Sequence, residues 1–335
     1  MIRLRHCHPE RSRRISLTAF YGNSRSRCRS ELAEGQWKAI IQLNTQLIII
    51  SENSIIKMVN KIILLSVLLF SAVYSYSQDK VNWKKVKVLV YTKNGKGYVH
   101  DNIPSAVACI QKLGQQHGFK VDTSSNPSVM SENNLKQYTM LLFPSTNNDV
   151  FDTDAQRLAF RRYIEAGGGF VGVHSVTGTE RNWKWFKMML GGTFSWHAKF
   201  QKYTVRIIDT GHPSMQGLPE VWEKQDECYF AKELYPGPKT LLVNDFSTLN
   251  TTDTTQRNLI AKHAGTFSEL FPAAWSHNFD GGKTWCTTLG HDKKDYADSV
   301  YVQHLLQGIR FVAGEVKTID FKKAYADSRD TPVRY

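Results

Sequence analysis

A histidine stands where a short apolar strand meets the polar segment after it. Residues 167–175 (GGGFVGVHS) read as a glycine turn, a buried strand and then His174. Open α/β sheets present functional side chains at the carboxyl ends of their strands, where ligands bind. We therefore predict that His174 is the central functional residue and that Ser175 beside it contacts the substrate.

Further histidines and a pair of carboxylates also fall at predicted strand ends or turns. They are His100, His197, His277 and His291, with the adjacent Asp226 and Glu227. Because the carboxyl ends of neighbouring parallel strands meet at one edge of a sheet, residues distant in sequence can line one crevice there. Adjacent residues on a strand point to opposite faces, so only one of the two carboxylates would enter that crevice. The sequence leaves open which one does.

Histidines and a carboxylate in one cleft support two kinds of chemistry. Imidazoles titrate near neutral pH and can move protons to or from a substrate. We place this metal-free chemistry first, without a cofactor, and its predicted catalytic residues are His174, His100, His277 and Glu227. The alternative is a divalent metal such as Zn²⁺, held by His174, His277 and His100. It ranks second because no HxH or HExxH spacing occurs from Gln78 onward.

The remaining polar and aromatic residues near these positions are candidates for substrate binding. They are Asp101, Ser175, Trp196, His197 and His291. An aromatic face in a polar cleft can receive the apolar face of a sugar ring, although a tryptophan is more often a core residue. The glycine run precedes its strand instead of opening a helix after one, so it is not a dinucleotide or phosphate fingerprint.

The elements that must position these residues alternate between strands and helices. Residues 86–91 and 140–143 are apolar runs typical of buried strands, and apolar residues recur at helical spacing from Ile103. Thr153 and Gln156 form a capping-box pair ahead of another helix. This alternation predicts one α/β domain over residues 78–316 with a mostly parallel sheet and helices on both faces. Additional antiparallel strands are expected in the C-terminal half, and a loosely packed tail over residues 317–335.

Two segments of different composition precede this domain. Residues 1–57 carry eight arginines and two lysines against four glutamates. We predict that the protein starts at Met58 and that residues 1–57 are a mis-called, disordered extension. Over residues 58–77, Lys61 precedes a mostly apolar run of twelve residues and then small residues, the layout of a secretory signal peptide. Twelve residues are short for a bilayer span. We therefore expect export to the periplasm or the medium, with no stable membrane anchor.

Charge and cysteine content narrow the class of protein further. The full sequence has a formal net charge of +13, of which residues from Gln78 onward contribute only +6, without a basic run. This dispersed charge argues against a nucleic-acid partner. Cys109, Cys228 and Cys286 remain in that part of the chain, so at most one disulfide could form.

Several motifs along the chain resemble the ThuA-like (trehalose utilisation) proteins. In order, they are residues 97–104 (GYVHDNIP), 167–175, 211–213 (GHP), 226–229 (DECY), 275–283 (WSHNFDGGK), 289–291 (LGH) and 296–298 (YAD). The likeness covers residues 87–315. It implies a flavodoxin-like fold of the class I glutamine amidotransferase-like superfamily. It also implies a role in carbohydrate catabolism, where such proteins are associated with oxidised (keto) disaccharides.

The resemblance also carries residues across. The polar residues shared in the family fall on His100, Asp101, His174, Ser175, Glu227, His277 and His291. Cys228 and Asn278 depart from the tryptophan and the acidic residue that relatives often carry. Amide transfer is not expected, because His174 occupies the place of the nucleophilic cysteine of the amidotransferases.

Together these observations predict an exported enzyme that acts on a keto-glycoside or disaccharide by histidine acid/base chemistry, with a small-molecule saccharide as its partner. Two alternatives stay open. One is a divalent-metal-dependent sugar hydrolase or isomerase that uses the same histidines. The other is a non-catalytic periplasmic sugar-binding domain.

Overall fold

The computed structural model describes residues 38, 41–50, 53–63, 65–66, 81–316 and 318–334. The chain divides into two units, residues 1–78 and 79–335. In the first unit the described residues are helical and exposed. Residues 1–37 of the predicted extension and residues 67–77 of the predicted leader lie outside the described residues. None of the helices that the structure describes is long and apolar enough to cross a membrane.

The second unit is built on a nine-stranded sheet. Its strands and those of a separate two-stranded sheet are β1 (Lys87–Tyr91), β2 (Lys120–Ser124), β3 (Met140–Pro144), β4 (Gly169–Val173), β5 (Thr193–His197), β6 (Gln201–Ile207), β7 (Val221–Asp226), β8 (Tyr229–Lys232), β9 (Lys239–Asp245), β10 (Leu270–Phe279) and β11 (Gly282–Thr287). The large sheet has the order β2-β1-β3-β4-β11-β10-β9-β6-β7, and β5 pairs with β8.

The sheet is parallel in one half and antiparallel in the other. Strands β2, β1, β3, β4 and β11 run parallel, whereas β10, β9, β6 and β7 each pair antiparallel with their neighbours. The predicted α/β fold, mostly parallel at its centre with antiparallel strands in the C-terminal half, is confirmed. The parallel strands β3 and β4 are buried along their whole length, which explains their continuous apolar sequences.

Helices cover both faces of the parallel strands. The helices are α1 (Ile103–His117), α2 (Glu132–Leu135), α3 (Asp154–Glu165), α4 (Lys184–Leu190), α5 (Thr254–Ala264) and α6 (Ser299–Glu315). Val88 and Val90 pack with α1 and α6 in one apolar cluster, and Leu89 and Tyr91 pack with α3 and α4 in the other. Alternate residues of one strand therefore supply two separate cores, as the period of a strand requires.

Short 3₁₀ turns connect several of these elements. They span Trp83–Lys85, Pro127–Val129, His174–Gly178, Pro213–Met215, Phe246–Thr248, Lys293–Ala297 and Phe321–Lys323. The predicted capping box at the start of α3 is present: the Thr153 side chain accepts from the backbone of Gln156, and the Gln156 side chain accepts from the backbone of Thr153. The cysteines Cys109, Cys228 and Cys286 are buried and unpaired.

The C-terminal segment is held by a buried ion pair on α3, in contrast to the loose tail that we expected. The Arg161 guanidinium is fully buried and donates to Glu165 (2.8 Å) and to the backbone carbonyls of Arg329 (3.1 Å) and Thr331. Glu165 in turn accepts from the backbone of Tyr325 (2.9 Å) and Ala326 (3.0 Å). Buried charges need such partners, so the segment completes the hydrogen bonding of α3.

Candidate functional site

His174 is the first residue after β4, and its backbone is in the left-handed region, with φ +56°. For a residue with a Cβ this conformation costs roughly 1–2 kcal/mol, and it turns the chain abruptly from the strand into a 3₁₀ turn. The ring is completely buried. Its Nδ1 lies 3.0 Å from the carbonyl oxygen of Thr288, so Nδ1 carries the proton and Nε2 keeps a lone pair.

His291 and Glu227 both approach Nε2 of His174. Nδ1 of His291 is 3.2 Å from His174 Nε2 and 3.1 Å from an oxygen of Glu227. His291 follows Gly290, whose φ is +109°, and a Cβ at residue 290 would lie 2.0 Å from the Tyr301 hydroxyl. Glycine is therefore required at this point for the chain to bring His291 next to His174.

Asp226 holds the two segments that carry Glu227 and His291. It is fully buried, and its carboxylate accepts the backbone N–H groups of Glu227 (2.8 Å), Gly290 (2.8 Å) and His291 (3.2 Å). Asn102 holds the same loop from the opposite side by donating to the carbonyls of Gly290 (2.8 Å) and His291 (3.0 Å). The structure thus answers the question left open by the sequence, since Glu227 enters the cleft and Asp226 binds backbone.

His100 completes the group and its hydrogen bonds define its tautomer. The Ser175 hydroxyl donates to the carbonyl of Thr146 (3.1 Å), so it accepts from His100 Nδ1, 3.2 Å away. This leaves the Nε2 lone pair of a neutral His100 free. The His100 ring lies edge-on to the His174 ring, with centroids 4.7 Å apart.

One ligand atom from each of His100, His174, Glu227 and His291 lies within 4.8 Å of the others. We call this group the four-residue cluster. Three imidazole nitrogens and one carboxylate oxygen are a donor set that Zn²⁺ and related divalent ions accept in a tetrahedral arrangement. The cluster lies at the carboxyl edge of β4, where α/β sheets bind ligands.

The charges of the four groups differ. Burial lowers the pKa of His100 to about 4 and holds the pKa of His174 well below its usual value, and neighbouring imidazoles act in the same direction. The hydrogen bond to Glu227 raises the pKa of His291, against the effect of burial. Burial alone would raise the pKa of Glu227, but the hydrogen bond from His291 and the nearby imidazoles lower it. At neutral pH, His100 and His174 are therefore neutral and Glu227 is ionised.

The cluster opens into a cavity of about 430 Å³. Its lining consists of Tyr98, His100, Asn147, Ser175, Gly178, Arg181, Phe194, His197, Glu227 and Tyr229. The Tyr229 hydroxyl is 3.0 Å from His174 Nε2. Burial and, to a smaller extent, the charge of Glu227 raise the pKa of Tyr229, so its hydroxyl stays protonated. His197 also lines the cavity, and its Nδ1 is 3.4 Å from Glu227. The predicted site residues His100, His174, Ser175, His197, Glu227 and His291 are thus brought together.

The structure does not bring His277 to this cluster, which corrects its prediction as a catalytic or metal-binding partner of His174. His277 pairs with Thr284, and Thr284 pairs with Phe170 near the start of β4. Because β10 runs antiparallel to β11, its C-terminal end reaches the opposite edge of the sheet from His174. Its Nδ1 instead lies 3.1 Å from the carbonyl of Met189.

Trp196 and Asp101 also lie outside the cavity lining. A bulge in β5 between Phe194 and Trp196 changes which side chains face the cavity. Phe194 and His197 line it, whereas Trp196 stacks on His263 with centroids 5.2 Å apart. The Asp101 side chain is largely exposed and forms an ion pair with Lys293 (2.6 Å).

Several lining residues were not among the predicted site residues. Tyr229 could have been inferred, because it lies two residues after Glu227 in the motif at residues 226–229. Tyr98 could likewise have been inferred, because it lies two residues before the predicted His100. For Asn147, Arg181 and Phe194 no local sequence signal exists, since each reaches the cavity only through the fold.

An open sheet with helices on both faces and a polar cluster at the end of β4 defines a flavodoxin-like α/β protein, and its candidate site lies at the carboxyl edge of the sheet. The ThuA family model, described as trehalose utilisation, matches residues 87–312, and the chain belongs to this family. The resemblance inferred from the motifs is thereby confirmed, and the family indicates a carbohydrate-related role.

Two solved structures share the fold. A ThuA-like protein from Bacteroides uniformis ATCC 8492 is 24% identical, with a TM-score of 0.58 over 71% of this chain and 95% of that chain. A ThuA-like protein from Parabacteroides merdae ATCC 43184 is 18% identical, with a TM-score of 0.54 over 70% of this chain and 92% of that chain. No curated protein matches the sequence.

Proposed function

We propose that this protein is a carbohydrate-processing enzyme that works with a divalent transition-metal ion held by His100, His174, His291 and Glu227. The observation that carries the proposal is the approach of these four ligand atoms to within 4.8 Å of one another. The carbohydrate part of the proposal is supported by membership of the ThuA family.

The protonation of the cluster suits a cation. Nε2 of His174 and of His100 each carry a lone pair in the neutral ring, because Nδ1 is bound to the Thr288 carbonyl in one and to Ser175 in the other. Such fixed partners on the second ring nitrogen are usual for metal-binding histidines, and they orient the ring. Glu227 supplies the negative charge that offsets part of the charge of a divalent ion. An ion here would polarise a sugar carbonyl or activate a bound water.

The cavity next to the cluster suits a saccharide in size and chemistry. Its volume of about 430 Å³ lies within the range of small-ligand sites, and its walls combine aromatic rings with hydrogen-bonding groups. The protonated Tyr229 hydroxyl lies 3.0 Å from His174 Nε2, and with an ion on that nitrogen it would be free to donate to a substrate oxygen. We propose a keto-glycoside or related disaccharide as the substrate. We also propose that the protein is exported, on the basis of the leader-like sequence at residues 58–77.

A metal-free acid/base mechanism is the second candidate function. It is favoured by the contrast between His291, whose pKa is raised, and His174, whose pKa is lowered, with their nitrogens 3.2 Å apart. Two neighbouring titratable groups whose surroundings move their pKa values apart are the arrangement that acid/base enzymes use.

Metal analysis and turnover measurements separate these candidates. The purified protein would be analysed for Zn, Fe, Mn and Ni, and then incubated with native and 3-keto disaccharides with and without a chelator. We expect one ion per chain and activity that is lost with the chelator and restored by metal. Turnover that persists in the metal-free protein would support the acid/base mechanism. Saccharide binding without turnover of any substrate would support a non-catalytic binding domain.

A further inference from the structure

The geometry points to a carboxylate-binding site at Arg181, so that the preferred substrate is an acidic saccharide such as a uronic-acid glycoside. This inference deepens the proposed function, on which it rests, by naming the substrate class of the same cavity. Arg181 lies in the segment between the 3₁₀ turn after His174 and helix α4, and it lines the cavity together with Asn147 and Phe194.

The Arg181 guanidinium is held in place but has no acidic partner. Nε donates to the carbonyl of Gly178 (2.9 Å) and Nη2 donates to the side-chain oxygen of Asn147 (3.0 Å). The guanidinium carbon lies 5.6 Å from the centre of the Phe194 ring. Among the residues that the structure describes, no carboxylate lies within ion-pair distance of Arg181 and Nη1 has no hydrogen-bond acceptor. The charge is therefore oriented and available to a ligand.

Gly178 packs closely against the side chains of Asn147 and Arg181. A Cβ on Gly178 would lie 2.5 Å from the Asn147 side-chain oxygen and 2.9 Å from Nη2 of Arg181. Only a glycine at residue 178 therefore allows the amide and the guanidinium to approach the backbone this closely. The arginines of α3 differ, since Arg157 is paired with Glu180 (2.7 Å) and Arg161 with Glu165 (2.8 Å).

Arg181 shares the lining of one cavity with His100 and Glu227 of the four-residue cluster. One saccharide in this cavity can therefore contact Arg181 with one part and the cluster with another. The planar guanidinium presents N–H groups that match the two oxygens of a carboxylate. The sugar carboxylate therefore binds Arg181, and the reacting part of the sugar faces His100, His174 and His291.

The test compares an acidic sugar with its neutral counterpart on the full-length protein. Binding of methyl glucuronide, methyl glucoside and glucose 6-phosphate would be measured by calorimetry at low and high salt. We expect the glucuronide to bind at least tenfold more tightly than the glucoside, with a preference that falls as salt rises. Arg181→Met should remove the preference, and Arg181→Lys should keep part of it. Arg257→Met, which alters an arginine on α5, is the matched control and should behave as wild type.

Metal content provides the separate readout for the proposed function. Arg181→Met should bind the same amount of metal as wild type, because Arg181 is not a ligand. Equal binding of the acidic and neutral sugars by wild type, no measurable binding of the glucuronide, or a preference that survives in Arg181→Met would overturn the inference while leaving the metal result intact. Tighter binding of glucose 6-phosphate than of the glucuronide would overturn the assignment to a carboxylate.

Discussion

The Asp226 carboxylate accepts the backbone N–H of His291 at 3.2 Å, although the two residues are far apart in sequence. Because Asp226 also accepts the backbone N–H of its neighbour Glu227, a single buried side chain fixes two members of the four-residue cluster. Asp226 is thus a positioning residue, and it contacts the cluster only through backbone.

Replacing this carboxylate tests its positioning role. In Asp226→Asn the amide nitrogen would face backbone N–H groups, so we expect metal affinity to fall roughly 10- to 100-fold, the range for the loss of supporting hydrogen bonds around a metal site. Asp295→Asn is the matched control, because Asp295 shares the Lys224 partner of Asp226 without binding the loop at residues 290–291. Calorimetric titration with Zn²⁺ measures both. Equal losses in the two variants would show that only the ion pairs with Lys224 matter.

Substitution of His174 and of His277 tests which edge of the sheet binds the metal. His174→Ala should abolish stoichiometric metal binding, because it removes a central ligand. His277→Ala should retain one ion per chain, since His277 contacts the Met189 carbonyl at the opposite edge. Metal analysis after dialysis gives the stoichiometry, and circular dichroism confirms folding of each variant. Loss of metal in a folded His277→Ala protein would contradict the assignment of ligands.

His304 should make the protein sensitive to acid. Burial lowers its pKa to about 3, whereas an unfolded histidine titrates near 6.5. Protonation then favours the unfolded chain, so this contribution to stability is complete above about pH 6.5 and is lost as the pH falls toward 3. The loss amounts to about 2 kcal/mol between pH 7 and pH 5.

The variant His304→Gln keeps a polar atom near Thr287 but cannot be protonated. We expect its free energy of unfolding to fall about 2 kcal/mol less than that of wild type between pH 7 and pH 5. Urea denaturation at both pH values measures this difference, in which the contributions of the other histidines cancel. The same pH dependence in both proteins would show that His304 does not titrate on unfolding.

The buried ion pair under the C-terminal segment should contribute strongly to stability. Arg161→Ala leaves Glu165 buried without its charge partner, and removal of one member of a buried pair typically costs about 3–5 kcal/mol. We also expect faster proteolysis within residues 318–334, because Arg161 binds the carbonyls of Arg329 and Thr331. Urea denaturation and limited proteolysis provide the two measurements. Arg334→Ala, which alters a cation on the Tyr325 ring, should cost less than about 1 kcal/mol.

Local sequence patterns were sufficient for the elements that position His174. The apolar run of β4, the glycines before it and the capping box of α3 all act within a few residues, so their pattern predicts their structure. His100 and His291 could be placed near His174 because they were expected to follow strands that end at the same edge.

The prediction failed where long-range pairing decides the outcome. His277 ends an apolar run just as His174 does, but β10 runs against its neighbour, and strand direction is not encoded in the run itself. The bulge in β5 changed the side-chain directions expected for Trp196. The docking of residues 318–334 depends on a buried arginine in α3, which a polar sequence could not reveal.

The members of the cluster come from positions 100, 174, 227 and 291, which lie in segments spread over most of the domain. With its three cysteines unpaired, the described domain lacks covalent cross-links between these segments. An ion bound by all four residues would cross-link four chain segments reversibly, and the unfolded chain would release it. The melting temperature would therefore rise with the concentration of the metal, so a thermal shift assay can identify the preferred ion before any substrate is known.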